Sequence, residues 1–282
     1  MTYRMLRRET EDQLRGAGND NSAFDTACLI EDLAGVPRGQ LPLWYDREAP
    51  AAACEAVRAA ARRRAVGEPL QYILGEWAFL GLTLSVGPGV LIPRPETELL
   101  CETAAALLGK AGTAAPRVLD LCAGSGCVGL GLASLLPGAR VTAVEWSPEA
   151  YRYLERNIAR YPAYHVEAVR ADVLREAGRF GGGWQAILAN PPYIPTADLP
   201  GLMREVQREP AMALDVGYGY RFYRVIAREW VPLLAAGGIC AVEVGIGQAE
   251  TVAGMWRSAG LEEVRICRDA AGIPRVVSGR RG

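Results

Sequence analysis

The sequence predicts an α/β protein, an open and mostly parallel seven-stranded sheet covered by helices on both faces, with a small helical bundle ahead of it and a β-hairpin between the two. Three observations predict this. An alanine- and arginine-rich helical pattern fills roughly the first 70 residues, short apolar runs alternate with helical periods beyond about residue 95, and a glycine-rich loop follows the first of those runs. At roughly 150 residues per domain, 282 residues suit two domains. The division expected is residues 1–75 for the bundle, 76–90 for the hairpin linker and 91–282 for the α/β domain.

Each element has its own signal. Ser22 and Asp25 read as a capping box that opens a helix over Ser22–Ala34, closed by Gly35 and Pro37. A second helix spans 50–66 and ends at Gly67 and Pro69. Trp77, Phe79, Leu82, Leu84 and Val86 alternate around Gly81, the pattern of a hairpin. A helix over 96–108 leads to a strand at 117–121, and after the glycine loop come a helix at 126–136 and a strand at 140–145. Ser147 and Pro148 then start a helix by capping and by a proline in its first turn. Strands at 165–170, 185–189 and 239–244, one long helix over 218–234, a helix at 249–258 and two terminal strands at 263–267 and 275–278 complete the pattern. Gly181, Gly182 and Gly183 read as a surface turn.

Composition narrows the chemistry. Of 31 basic residues only Lys110 is lysine, and His165 is the sole histidine. Multi-histidine metal sites are excluded, and no metal is expected. A net charge of -1 speaks against a protein that holds nucleic acid stably, since neutralising phosphates favours a basic surface. Seven scattered cysteines with no C-x-x-C read as reduced thiols of a cytosolic protein. No apolar run approaches 18 residues and the N-terminus lacks an apolar signal region, so a cytoplasmic protein without membrane attachment is expected.

Two motifs carry the chemistry. Asp120 closes the strand before Cys122, Ala123, Gly124, Ser125 and Gly126, and with Gly129 the loop reads G-x-G-x-x-G. Glu145 ends the next strand, 19 residues after Gly126. Such glycines let a ligand approach the backbone at a helix N-terminus, and an acid at that place can grip both hydroxyls of a ribose. Three residues separate Asp120 from Gly124, which suits a phosphate-free ligand whose ammonium needs an acidic partner, and S-adenosylmethionine fits. The second motif is Asn190-Pro191-Pro192-Tyr193, directly after a strand at the ligand-binding edge of the sheet. Tandem prolines fix the backbone and remove two amide donors. The Asn190 side-chain oxygen and the Pro191 carbonyl can then accept both hydrogens of a planar NH2 group, with the Tyr193 ring as a stacking face. An amide or aromatic amine is a weak nucleophile, but a sulfonium methyl is already a strong electrophile. Orientation worth about 7 to 11 kcal/mol makes a strong base unnecessary for the first step.

Glu68-Pro-Leu-Gln-Tyr-Ile-Leu-Gly75, Leu91-Ile-Pro-Arg-Pro-Glu-Thr-Glu98, the glycine loop, Asn190 to Tyr193, Cys267-Arg-Asp269 and Arg275-Val-Val277 occur in this order. In them the chain resembles the HemK/PrmC family of release factor glutamine methyltransferases over residues 65–278. The resemblance implies the Rossmann-like sheet of class I methyltransferases. It also implies N5-methylation of the glutamine in the Gly-Gly-Gln loop of class 1 peptide chain release factors, from S-adenosylmethionine, with S-adenosylhomocysteine as the other product. Carried onto this chain, Cys122, Ala123, Gly124, Ser125 and Gly126 line the methionine end of the cofactor and Glu145 holds its ribose. Asp172 contacts adenine with Val173 beside it, Asn190 and Pro191 orient the substrate amide, Pro192 belongs to the substrate loop and Tyr193 packs on the amide. Asn190 stands in both the cofactor and the substrate sets. Arg94 and Glu96 either shape the substrate mouth or cap and salt-bridge the helix that follows. The departures from the family pattern are Cys-Ala in place of Gly-Thr in the loop, Glu145 in place of Asp, and Val173 in place of an aromatic residue.

The helical N-terminal domain is expected to grip the release factor. Three alternatives stand beside this reading. An adenine N6-methyltransferase would present the same NH2 geometry from a flipped base, a glutamine methyltransferase acting on a ribosomal protein would share the tetrapeptide, and a scaffold would keep the fold without catalysis.

Overall fold

A computed structural model describes residues 1–217 and 219–282. The chain divides into two compact units, Met1–Glu76 together with Met203–Arg208, and Trp77–Leu202 together with Glu209–Gly282.

In the first unit, α1 (Tyr3–Gly16) and α2 (Ser22–Ala34) are followed by a 3-10 segment at Arg38–Trp44, then α3 (Ala51–Ala65) and the short α4 (Leu70–Leu74). Helix α1 buries Tyr3, Leu6, Thr10 and Leu14, the three- and four-residue spacing of one helical face. Helix α2 stops at Gly35, whose φ of 68° is the left-handed conformation that favours glycine. The capping box expected of Ser22 and Asp25 does not form. Asp25 lies inside the bundle, where its carboxylate accepts from Arg64 Nε at 2.7 Å and Asn19 Nδ2 at 2.7 Å. A second bond from Arg64, at 3.1 Å, goes to Glu205. A buried guanidinium needs such partners, and two acids meet its planar donors on two sides.

At the start of the second unit, β1 (Glu76–Phe79, its first residue the last of the first unit) and β2 (Leu82–Ser85) form the hairpin. Leu80 and Gly81 turn it with φ of 46° and 75°, the pair of positive angles that suits the twist of a two-residue hairpin loop. The sheet domain then runs α5 (Pro95–Lys110), β3 (Arg117–Leu121), α6 (Cys127–Leu135), β4 (Arg140–Glu145), α7 (Pro148–Arg160), β5 (His165–Arg170) and β6 (Trp184–Ala189). It continues through β7 (Ile194–Pro195), α8 (Ala211–Leu214), β8 (Asp215–Gly217), α9 (Arg221–Val225), β9 (Leu234–Glu243), α10 (Ala249–Ser258), β10 (Leu261–Arg268) and β11 (Pro274–Arg281). Seven strands make one sheet in the order β10-β11-β9-β6-β3-β4-β5. All neighbours are parallel except the pairs formed by β11 with β9 and with β10. The Rossmann-like α/β expectation is therefore met, strand for strand.

Alternating residues of the strands feed two cores. Val118, Val141, Ala186 and Leu188 pack with Leu100 and Leu130 on one face, and Leu119, Leu121, Ile187 and Val242 pack with Trp230 and Trp256 on the other. One expectation fails at 218–234, where the sequence pattern predicts a single long helix. Tyr218 of that span lies outside the described residues. The rest winds as α9, a wider π-helical turn at Ile226–Trp230 and a 3-10 turn at Val231–Leu233. Pro232 has no N–H to continue an α-helix, and the buried Trp230 indole donates to the Val173 carbonyl at 2.9 Å, which draws the turn toward the sheet. The small pairing of β7 with β8 and the helix α8 had no counterpart in the sequence pattern.

Candidate active site

Sheet order brings the two motifs together. Leu121 of β3 is paired with Val144 of β4 on one side and Ala189 of β6 on the other, so Cys122, Glu145 and Asn190 leave three adjacent strand ends. The chain reverses strand order between β3 and β6, and the carboxyl ends at such a switch point form a crevice. Here that crevice is a cavity of about 450 Å3. Cys122, Ala123, Gly124, Ser125, Glu145, Asp172, Val173, Arg94, Asn190 and Pro192 all line it. Gly126, Glu96, Pro191 and Tyr193 stand outside the lining. His165 is exposed at the opposite, amino end of β5.

The glycine loop is held mostly by its own backbone. Ala123 N–H donates to the Val144 carbonyl at 3.0 Å and Gly126 N–H to the Ala123 carbonyl at 2.8 Å. Gly126 takes φ 83°, and a Cβ there would lie 2.7 Å from a Leu154 methyl, so only glycine fits. A Cβ at Gly129 would come within 3.0 Å of the Asp120 carboxylate, which explains the third glycine as close packing of helix on strand. Cys122 holds φ 60° without being glycine.

Asp120 does not face the cavity, contrary to the expectation that it would meet an ammonium. It is fully buried, one oxygen accepts Gly129 N–H at 2.8 Å, and the other has no hydrogen-bond partner among the described residues. Burial pushes its carboxyl up to about 7, against the lowering effect of the Gly129 bond. Glu145 is engaged too. Its Oε2 accepts Gly124 N–H at 2.8 Å, and its Oε1 accepts Trp146 and Ser147 N–H at 2.8 and 2.7 Å. A carboxylate has about four acceptor positions, so the free one is on Oε2 and serves one further donor. Capture of both hydroxyls of a ribose would displace a loop amide. Burial raises the Glu145 carboxyl while these three N–H groups lower it. Asp172 Oδ1 accepts Leu174 N–H at 2.8 Å, which fixes the turn that brings Val173 to the cavity wall.

The tetrapeptide is held differently, by side chains from remote elements. Asn190 Nδ2 donates to Thr97 Oγ1 at 3.1 Å, and the Thr97 hydroxyl donates to Glu243 Oε2 at 2.6 Å. The Tyr193 hydroxyl donates to Glu243 Oε1 at 3.2 Å, while Gln248 Nε2 donates to the Tyr193 carbonyl at 2.9 Å. Glu243 is only 1% exposed. Burial raises its carboxyl, whereas the Thr97 and Tyr193 hydroxyls and the Arg275 charge lower it. The Tyr193 hydroxyl is raised by burial and by that carboxylate. Arg94, at the start of α5, pairs with Glu209, whose other oxygen accepts Ile92 N–H at 3.0 Å. Arg94 thus makes no side-chain cap on α5, its ion pair goes to Glu209 rather than to the helix that follows, and it lies at the cavity wall.

Sequence reasoning missed Thr97, Glu243, Gln248 and Asn157. Asn157 is fully buried, and its amide donates to the Ser125 carbonyl at 2.9 Å and the Ser85 carbonyl at 3.1 Å, tying the hairpin to the loop. The available signals were an acid in the apolar run 239–244 and a polar residue inside a helix.

Sheet order, glycine loop and cavity together define a Rossmann-like methyltransferase, and solved structures share the fold. The hMettl16 catalytic domain in complex with the MAT2A 3'UTR hairpin 6 superimposes with a TM-score of 0.58 at 16% identity, over 78% of this chain and 81% of that one. The T. thermophilus 16S rRNA N2 G1207 methyltransferase in complex with AdoMet and guanosine gives 0.54 at 21% identity, over 73% of this chain and 50% of that one. The family model described as PrmC N-terminal domain matches residues 5–75, and that described as Conserved hypothetical protein 95 matches residues 73–216. The release factor glutamine methyltransferase of Geobacter sulfurreducens is 42% identical over 100% of this chain and 97% of its own length. That of Chlorobaculum tepidum is 37% identical over 92% and 90%. The chain belongs to the release factor glutamine methyltransferase family.

Proposed function

We propose that this enzyme methylates N5 of the glutamine in the Gly-Gly-Gln loop of a class 1 peptide chain release factor, using S-adenosylmethionine and leaving S-adenosylhomocysteine. The observation that carries the reading is that Asn190 and the glycine loop line one cavity, in a chain 42% identical throughout to a release factor glutamine methyltransferase. The residues fit the cofactor. A cavity of about 450 Å3 suits one small molecule. Among the described residues nothing lies within 4 Å of a Cβ placed on Gly124, so a ligand can reach the loop backbone there. Glu145 and Asp172 on the same wall supply acceptors for hydroxyl and amino groups.

When bound, the cofactor supplies an electrophilic methyl group, and the chain's own residues have to place the nitrogen. Asn190 Oδ1, on the cavity wall, accepts one amide hydrogen, the Pro191 carbonyl, from a residue outside the lining, is assigned the other, and the two hold the nitrogen lone pair toward the methyl group. Both acceptors stabilise the positive charge that grows on nitrogen during transfer. The nitrogen loses its proton after the transfer, in accord with a site that has no imidazole.

We also assign the N-terminal unit to release factor recognition and the enzyme to the cytoplasm, working without a metal. Among the described residues no helix is long and apolar enough to cross a membrane. To test the substrate, the protein is incubated with labelled S-adenosylmethionine and, in separate reactions, release factor, ribosomal protein or nucleic acid, and the labelled atom is mapped by mass spectrometry. Label on the Gly-Gly-Gln glutamine is expected. Label on adenine or on the ribosomal protein alone would overturn the reading. Amide exchange in residues 1–75 should slow when release factor is added, and unchanged exchange there would refute the docking assignment.

A further inference from the structure

We infer that Thr97 and Glu243 are positioning residues that fix which end of the Asn190 amide faces the substrate. The inference rests on the proposed function and adds to it two residues from other elements of the sheet domain. A side-chain amide has a donor end and an acceptor end of nearly the same shape, so its orientation follows from its partners. Among the described residues Asn190 has one such side-chain partner in Thr97, which donates its only hydroxyl proton to Glu243 Oε2 at 2.6 Å. With that proton committed, Thr97 Oγ1 can only accept. The Asn190 NH2 end must therefore point at Thr97, as its 3.1 Å bond records, and Oδ1 is left as the acceptor for the cavity. Reversed, the amide would set two lone pairs against each other at Thr97 and offer a donor to a substrate NH2, which is also a donor. Either contact forfeits a hydrogen bond in a desolvated site.

Glu243 is what commits the proton. Both hydroxyls that reach it, from Thr97 and from Tyr193, donate to its two carboxyl oxygens. The first and last side chains of the tetrapeptide thereby take their polarity from one buried acid. Three elements converge on the arrangement: α5 brings Thr97, β9 brings Glu243 and the end of β6 brings Asn190. Thr97 is fully buried, so water does not compete for its hydroxyl.

The test uses the full chain, labelled S-adenosylmethionine and intact release factor. Thr97→Val removes the hydroxyl while keeping the shape, and kcat is expected to fall about 30- to 100-fold, as for loss of a positioned polar group. Affinity for S-adenosylmethionine, measured by calorimetry, is expected to stay within about twofold, which also reports that the variant is folded. Thr97→Ser should restore kcat to within about threefold of the original. Should Thr97→Val not fold, Glu243→Gln takes its place. It keeps the size and frees the direction of the Thr97 proton, and it should lower kcat about tenfold with cofactor affinity retained. A native kcat in Thr97→Val, or in Glu243→Gln where that variant is used, would overturn the inference. So would an equal loss in Thr97→Ser, because packing would then be the cause. If the unaltered enzyme leaves release factor unlabelled, the proposed function itself fails and the positioning role goes with it. Labelling by the unaltered enzyme with an unimpaired Thr97→Val overturns the positioning role alone.

Discussion

The two walls of the cavity are built on opposite principles. On one side, residues 122–129 take their shape mostly from glycines, neighbouring backbone amides and two acids within 25 residues, with Asn157, 32 residues from Ser125, as the more distant tie. On the other, residues 190–193 are held by Thr97, Glu243 and Gln248, which lie 93, 50 and 55 residues away in the pairs they form. A locally determined loop can be judged from its own sequence and is strained by an added atom at Gly126 and Gly129. A loop fixed from a distance also fails when a remote partner changes.

The sharpest way to break this contrast is Asn190→Ala. Turnover should drop by about a hundredfold or more while S-adenosylmethionine affinity changes little, as measured by steady-state kinetics beside calorimetry. Loss of cofactor binding on the same scale would show that the walls are not separable. Next in size is Gly126→Ala, which forces a methyl group to within 2.7 Å of Leu154 at φ 83°. About 2 kcal/mol of stability should be lost in urea denaturation, along with cofactor affinity, since the loop has no slack to absorb the strain.

Asp120→Asn tests the acid beneath the local wall. Burial raises the Asp120 carboxyl to about 7, so the folded protein retains a proton that the unfolded chain loses near pH 4. Stability from this group is therefore present at low pH and lost as pH rises from about 4 to about 7. Asparagine keeps an acceptor for Gly129 N–H and removes the titration. The variant should gain on the order of 1 to 2 kcal/mol on the unaltered protein between pH 5 and pH 8, and parallel stability curves would refute the assignment. The smallest effect is expected at Cys122. Cys122→Gly relieves a left-handed side chain at some cost in chain entropy and should change stability by a few tenths of a kcal/mol, whereas Cys122→Val should cost about 1 kcal/mol. Equal melting of the two would show that the φ of 60° carries no strain.

The same contrast explains what the sequence disclosed. The strands β3, β4 and β5 and the helix α10 begin and end where their patterns predicted, because alternation and capping are local. The glycine loop, Glu145 and the tetrapeptide were legible for the same reason. The break at 226–233 was not, since it depends on a buried tryptophan reaching a carbonyl 57 residues away. Nor was Glu243, which reads as the last residue of an ordinary buried strand until folding delivers two hydroxyls to it. Asp120 shows the converse. Its position beside the loop suggested a role toward the ligand, but the side chain turns inward to the Gly129 amide, and spacing alone does not specify that choice.

Six residues from the middle of the chain, Met203–Arg208, belong to the first unit, where Glu205 completes the pairing of Arg64 with Asp25. The N-terminal unit is thus not a cassette that a single cut can lift out. Exchanging it between relatives requires two grafts at once, and a chimera joined only near residue 76 would inherit Arg64 and Asp25 from one parent and Glu205 from the other. Recombination between diverged members should for that reason preserve residues 64 and 205 as a matched pair.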